Sequence, residues 1–240
     1  MFKRTLLSTV LLASLLACTA SANEAGIKKT LLEKFPGADI ASITKTPYSG
    51  LYEVLIDGQI VYADENANYL FVGSVVDVKT RQNLTNERLE KLNAIRFDSL
   101  PFADAIKTVK GNGKRKLAIF SDPDCPYCRK LEQELTKVSN VTLYTFLYPI
   151  VSLHPDSAAN AKAIWCAPDR NKAWDDAMLR GVMPKNSGNC KNPVDSNIAL
   201  GNKFRVTGTP TLIFSNGQRV PGMVPADKLN ELLDAASKGK

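Results

Sequence analysis

The chain is 240 residues long, 44% apolar and 23% charged, with a formal net charge of +7. These values fit one large or two modest globular domains. The basic residues are scattered, apart from a cluster at 107–116 in a Gly-rich connection that reads as a solvated loop, and no nucleic-acid module accompanies them, so the charge does not imply DNA or RNA binding.

Lys3 and Arg4 precede a mostly apolar run over 5–17, and Ala20-Ser21-Ala22 forms an A-x-A site before Asn23. This pattern predicts a secretory signal peptide over 1–22. The run is too short to span a bilayer comfortably, and no other stretch approaches the needed length. The mature chain then starts near Asn23 and folds where disulfides persist. Leu15-Leu16-Ala17-Cys18 also resembles a lipobox. Lipid anchoring at Cys18 is therefore the alternative, although Leu16 is bulkier than usual at its position.

A first block is expected over 23–83. Residues 25–35 read as an amphipathic helix with Ile27, Leu31, Leu32 and Phe35 on one side, stopped by Pro36-Gly37. Residues 51–56 and 59–62 flank Asp57-Gly58, a strong hairpin signal. A third apolar, β-branched run covers 69–78, with Gly73 marking a bend or bulge. Such a block buries only a thin core, and the run at 69–78 is a candidate edge for pairing with another copy. A polar helix over 86–97, capped by Thr85 and ended by Pro101, then reads as a connector within a linker at 84–100.

The second block, 101–240, carries the chemistry. Residues 116–121 read as a buried strand, 126–139 as a helix and 141–147 as a strand parallel to the first. Cys125-Pro126-Tyr127-Cys128 straddles the strand-to-helix junction. Pro126 falls where a first-turn proline is tolerated. Cys125 then faces the unpaired N–H groups of the helix N-terminus, which favour thiolate over thiol, while Cys128 lies one turn inside. That is a redox pair, with one sulfur as nucleophile and the other as resolver. The dipole alone contributes up to ~2 kcal/mol. Asp122 and Asp124 would oppose it, so a thiol pKa below that of free cysteine but not extreme is expected. Half of a zinc site is the bland alternative. Structural zinc needs four ligands, and Cys18, Cys166, Cys190 and the lone His154 supply no second pair. No metal and no cofactor beyond the redox-active Cys125–Cys128 disulfide is expected.

A helical stretch over about 154–202 interrupts the block. It is followed by a strand at 211–214, the turn Asn216-Gly217, a strand at 218–220 and a helix over 226–236. A βαβ unit followed by ββα around a CxxC helix is the thioredoxin arrangement. Pro210, opening a strand after Gly208-Thr209, fits the same scheme, in which this X-Pro bond is cis and packs against the CxxC pair.

At this level of detail the chain resembles the DsbC/DsbG family of bacterial periplasmic disulfide isomerases. The matching pieces are Phe120-Ser121-Asp122-Pro123-Asp124-Cys125-Pro126-Tyr127-Cys128, Ala163-Ile164-Trp165-Cys166-Ala167, Asn171-Lys172-Ala173-Trp174-Asp175-Asp176, Gly208-Thr209-Pro210-Thr211 and Ser215-Asn216-Gly217. The pieces around Cys166 and Trp174 lie where thioredoxins have no counterpart. The resemblance implies a cystatin-like α+β dimerisation domain, a linker helix and an α/β thioredoxin-like domain with a helical insertion. It implies a V-shaped periplasmic homodimer formed through residues of about 23–83.

Its implied mechanism has Cys125 attacking a wrongly paired disulfide in a secreted protein, Cys128 resolving stalled intermediates, and the Thr209–Pro210 loop receiving the client strand. A membrane reductase of the DsbD type would keep the pair reduced, and apolar walls would add chaperone activity. The Pro126-Tyr127 dipeptide is as in DsbG-like members, whereas the insertion pieces look more like DsbC. A DsbA-like dithiol oxidase and a DsbG-like holdase with sulfenic-acid reductase activity are the competing readings. Cys166 and Cys190 read as a structural disulfide, with a second redox pair as the alternative. His154 has no cysteine near it in sequence and is given no catalytic role.

Overall fold

A computed structural model describes residues 15–238, with side chains from residue 23 onward. The expected signal peptide lies mostly outside the described residues. Of its last part, including Cys18, only helical backbone is described. The chain divides into two compact units, Met1–Leu89 and Glu90–Lys240.

In the first unit, helix α1 (Leu15–Lys34) is followed by strands β1 (Ile40–Lys45), β2 (Tyr52–Ile56), β3 (Gln59–Ala63) and β4 (Leu70–Phe71). They form one antiparallel sheet in that order. Asp57 and Gly58 both take positive φ, which matches the right-handed twist of β2 and β3 and closes their hairpin. Ile27 and Leu31 pack from α1 onto Ile40, Tyr52, Val54, Val61 and Ala63.

Several expectations need correction here. The helix begins ten residues before 25, and Leu32 and Phe35 are exposed instead of joining Ile27 and Leu31. Strand β1 carried no signal: Ile40, Ser42 and Thr44 do not alternate cleanly with their neighbours. The long strand over 69–78 shrinks to two residues, and the rest is irregular, with an isolated bridge between Val76 and Asn83 and the large side chains Val72, Val76 and Val78 exposed. Helix α2 (Leu84–Leu92) ends before 97, and Thr85 is not its cap. Asn83 Oδ1 accepts the Asn86 N–H at 2.9 Å, while the buried Thr85 hydroxyl accepts the Val75 N–H and shares a 2.6 Å hydrogen bond with Tyr62.

The second unit holds β5 (Ile106–Lys110), β6 (Arg115–Ser121), α3 (Pro126–Leu135), β7 (Val141–Leu147), α4 (Ser157–Trp165), α5 (Arg170–Arg180), α6 (Val194–Lys203), β8 (Thr211–Phe214), β9 (Arg219–Pro221) and α7 (Ala226–Lys238). Their sheet order is β5-β7-β6-β8-β9, with β6 and β7 parallel and the other pairs antiparallel. The parallel pair needs a crossover, and α3 supplies it. Side chains alternate across β6. Leu117 and Ile119 meet Leu131 and Leu135 of α3 and Leu229 and Leu233 of α7. Ala118 and Phe120 meet Phe146, Tyr148 and Ile213 on the other face. The insertion helices α4, α5 and α6 gather a third cluster around Cys128, Ile164 and Trp174.

The basic stretch at 107–116 is not simply a loop. Residues 106–110 form edge strand β5, with Ile106 buried and Lys107 outward, a charge placement that blunts a sheet edge. The fold class is the expected one: helix plus antiparallel sheet, then a mixed thioredoxin-like sheet with helices.

Candidate active site

Strand β6 ends at Ser121, and α3 begins after four intervening residues. Cys125 is its N-cap, with extended backbone, and Pro126 occupies the first helical position. The Cys125 N–H donates to the Asp122 carbonyl at 3.2 Å, and its own carbonyl accepts the Arg129 N–H, the first bond of the helix. Its side chain therefore stands over the unpaired N–H groups of the first turn.

From the strand beside β6, the bend before β8 brings Thr209 and Pro210 alongside. Their peptide bond is cis. The thiol of Cys125 donates to the Thr209 carbonyl at 3.4 Å. Ionised, the same sulfur accepts instead. The Cys128 thiol is its chief donor, joined by the Thr209 hydroxyl and the N–H groups of Cys128 and Tyr127, and together they draw its pKa down to about 5 against the cost of burial. Cys128 moves the other way. Burial first, and then the bond it gives to Cys125, hold it as a thiol, with partial relief from the Ser121 hydroxyl. The two sulfurs share one proton, and Cys128 keeps it.

The depression at Cys125 is deeper than the nearby acids led one to expect, because neither carboxylate is bare. The fully buried Asp122 accepts the Asp124 N–H (2.9 Å) on Oδ1 and the Ile150 N–H (2.7 Å) on Oδ2, where it also meets His154 Nδ1 at 3.0 Å. Asp124 accepts both of its 3.0 Å bonds from Asn160 of α4. A second difference concerns access. Cys128 has no exposed surface, but Cys125 is itself only 4% exposed. Its bond to the Thr209 carbonyl folds the thiol inward. Tyr127 beside it is 59% exposed, under the Lys130 ammonium.

Cys166, at the end of α4, is joined to Cys190 across a sequence separation of 24 residues. Both lie in the insertion, away from the CxxC bend in sequence. Among the described residues no cluster of three or more His, Cys, Asp or Glu is arranged to hold a metal ion.

Two contacts escaped the sequence reading. Asp122 and His154 are 32 residues apart and nothing pairs them before the fold does. Glu132, buried on α3, accepts the Trp174 indole N–H at 2.9 Å. Burial pushes its carboxyl up to about 7, countered by the indole bond and by Lys110. That one had a signal. A glutamate four residues after Cys128, inside the stripe of Leu131 and Leu135, is a charge on a buried face.

The comparisons with known proteins agree along the length of the chain. Residues 18–86 match the family described as disulfide bond isomerase protein N-terminal domain, and residues 102–237 match a thioredoxin-like domain. The probable thiol:disulfide interchange protein DsbC of Bordetella pertussis is 43% identical over 207 residues, which are 86% of this chain and 73% of that one. The thiol:disulfide interchange protein DsbC of Escherichia coli is 31% identical over 225 residues, 91% of each chain. A crystal structure of a disulfide interchange protein from Neisseria gonorrhoeae superposes with a TM-score of 0.56 at 47% identity, covering 57% of this chain and 99% of that one.

Proposed function

The chain belongs to the DsbC family of thiol:disulfide interchange proteins, disulfide isomerases, and from that membership we propose that Cys125 is its attacking sulfur and Cys128 its resolving one. The observation that carries this assignment is the opposite pull on the two thiols, with Cys125 brought to about 5 beside the carbonyl of Thr209. At neutral pH Cys125 is a thiolate and Cys128 is a thiol. Only one of them is ready to attack.

Cys125 attacks one sulfur of a mispaired client disulfide. The client S–S bond breaks, its other sulfur leaves as thiolate, and a mixed disulfide forms. A second client thiolate then attacks the client sulfur in that mixed disulfide and expels Cys125, so the client is re-paired with no net oxidation. Where no such thiolate arrives, Cys128 attacks Cys125. Its proton goes to the departing client thiolate, the client leaves reduced, and the pair is left oxidised. A membrane reductase of the DsbD type would return the two electrons. The extended backbone at Thr209 and Pro210 would receive the client strand by β-type pairing. The 1–22 segment would direct the chain to the periplasm, and residues of about 23–83 would pair two copies.

Refolding of scrambled ribonuclease tests the assignment. Cys125→Ser is expected to abolish activity, whereas Cys128→Ser retains isomerisation and accumulates mixed disulfide. Undiminished activity in Cys125→Ser overturns the assignment.

A further inference from the structure

His154 is the single histidine of the chain. The turn at 150–154 carries it to Asp122, whose Oδ2 lies 3.0 Å from the ring Nδ1. Asp122 is fully buried, and its ionic partner is this ring. The same residue supports the reactive cysteine, because its carbonyl accepts the Cys125 N–H. A buried carboxylate beside a thiolate sets two negative charges against each other unless a cation covers one of them. The charged groups facing the ring are Asp122 and Asp124 from the bend after β6 and Cys125 at the head of α3; with the Asp122 hydrogen bond they favour its protonated form, against burial. The neighbours from α4 are neutral: Ser157 donates to the His154 carbonyl, and Asn160 holds Asp124.

We propose that His154 is a positioning residue for the reactive sulfur: clamped to Asp122 in its protonated form, it sets a cation against a carboxylate whose other donors, the Asp124 and Ile150 N–H groups, carry no charge to offset the Cys125 thiolate. The inference rests on the reading of Cys125 as the ionised, attacking cysteine. Linkage makes the effect reciprocal. If the thiolate raises the ring's affinity for its proton, the ring's proton raises the population of thiolate by the same factor. Below the ring's pKa the thiolate is supported. Above it the support is withdrawn, and the reduced form gives up its electrons more readily.

A lone histidine makes the test direct, because its ring C–H signals need no assignment among others. The ring is titrated by proton NMR in the whole protein with Cys125 and Cys128 reduced, with the pair oxidised, and in reduced Cys125→Ser. The expected midpoint is higher in the reduced wild type than in the other two, by about half a unit. Equal midpoints, with isomerase activity still lost in Cys125→Ser, overturn the inference alone. Activity that survives that substitution overturns the reading beneath it as well. His154→Gln gives the reverse measurement. It keeps an N–H donor for Asp122 without the charge, and the alkylation midpoint of Cys125 is expected to rise by about half a unit. An unchanged midpoint in folded His154→Gln overturns the proposal, and if that variant fails to fold the wild-type titration decides.

Discussion

The thiolate of Cys125 owes most of its stability to one neighbour. The Cys128 thiol ranks first among the groups that lower its pKa, ahead of the Thr209 hydroxyl and the first-turn N–H groups. Alkylation of the reduced protein followed against pH should therefore inflect near 5, far below the ~8.5 of free cysteine. In Cys128→Ala the inflection should climb by roughly one to two units, since the dipole and Thr209 remain. A midpoint unmoved by that substitution would transfer the credit to the helix terminus. Glu132 gives a second prediction, on stability. Its folded pKa, raised to about 7, exceeds its ordinary value of 4.5, so between these limits the folded protein holds the extra proton. Stability tied to this group is full below about pH 4.5 and is lost as pH rises through 7, by roughly 3 kcal/mol in all. Glu132→Gln keeps an acceptor for Trp174 and removes the ionisation. The stability of wild type relative to Glu132→Gln, measured in urea, should fall across that window and be flat on either side. A constant difference would show that Glu132 titrates alike in the folded and unfolded chain.

At the scale of elements, the helical insertion is held by means other than the sheet. Asp169 caps α5 by accepting the Lys172 N–H, and Gly181 ends that helix in the left-handed conformation. The bond from Cys166 to Cys190 then ties the end of α4 to the irregular chain before α6. Closing a loop of about 25 residues restricts the unfolded chain by roughly 3.5 kcal/mol on the entropy model. Replacing both cysteines by alanine should cost about 3 kcal/mol in urea unfolding and leave isomerase turnover at low temperature intact. Turnover that falls while stability holds would mark a second redox pair. Which elements could be read from the sequence follows the same physics. Strand β6 and helix α3 declare themselves because the continuous run Leu117–Phe120 is buried on both faces and Pro126 marks the first turn. Strand β5 does not, since an edge strand that carries Lys107 and Lys110 looks like a loop until β7 pairs with it. Thr85 resembled a cap because a hydroxyl at a helix start usually is one. Here Tyr62 and Val75 engage it, and Asn83 does the capping. The CxxC pair and the proline before β8 were legible by motif, but the clamp of Asp122 on His154 was not, because only the tertiary fold brings them together.

For the whole molecule, the decisive quantity is the apolar surface that the first unit leaves uncovered. Its core is one face of α1 against four short strands, and β4 at the edge of that sheet has only two residues. Around that edge Tyr69 is 70% exposed, Val72 82% and Val78 88%, with Phe71 and Val76 about half exposed. Five large apolar side chains within ten residues are more than scattered surface exposure explains, and an unpaired edge beside them is a template for a second strand. Another copy of the same edge would fit, because a two-fold contact is self-complementary and would set the apolar run of one copy against that of the other. Sedimentation of the mature protein is therefore expected to give twice the chain mass. Val72→Glu with Val78→Glu tests the face itself. Both positions are so open that the exchange should change the stability of the unit by less than about 0.5 kcal/mol, yet in a pair it buries like charges. The variant should sediment as a monomer, with the alkylation midpoint of Cys125 unchanged and isomerase activity reduced. If it remains a dimer, the contact lies elsewhere and the exposed run at 69–78 needs another occupant.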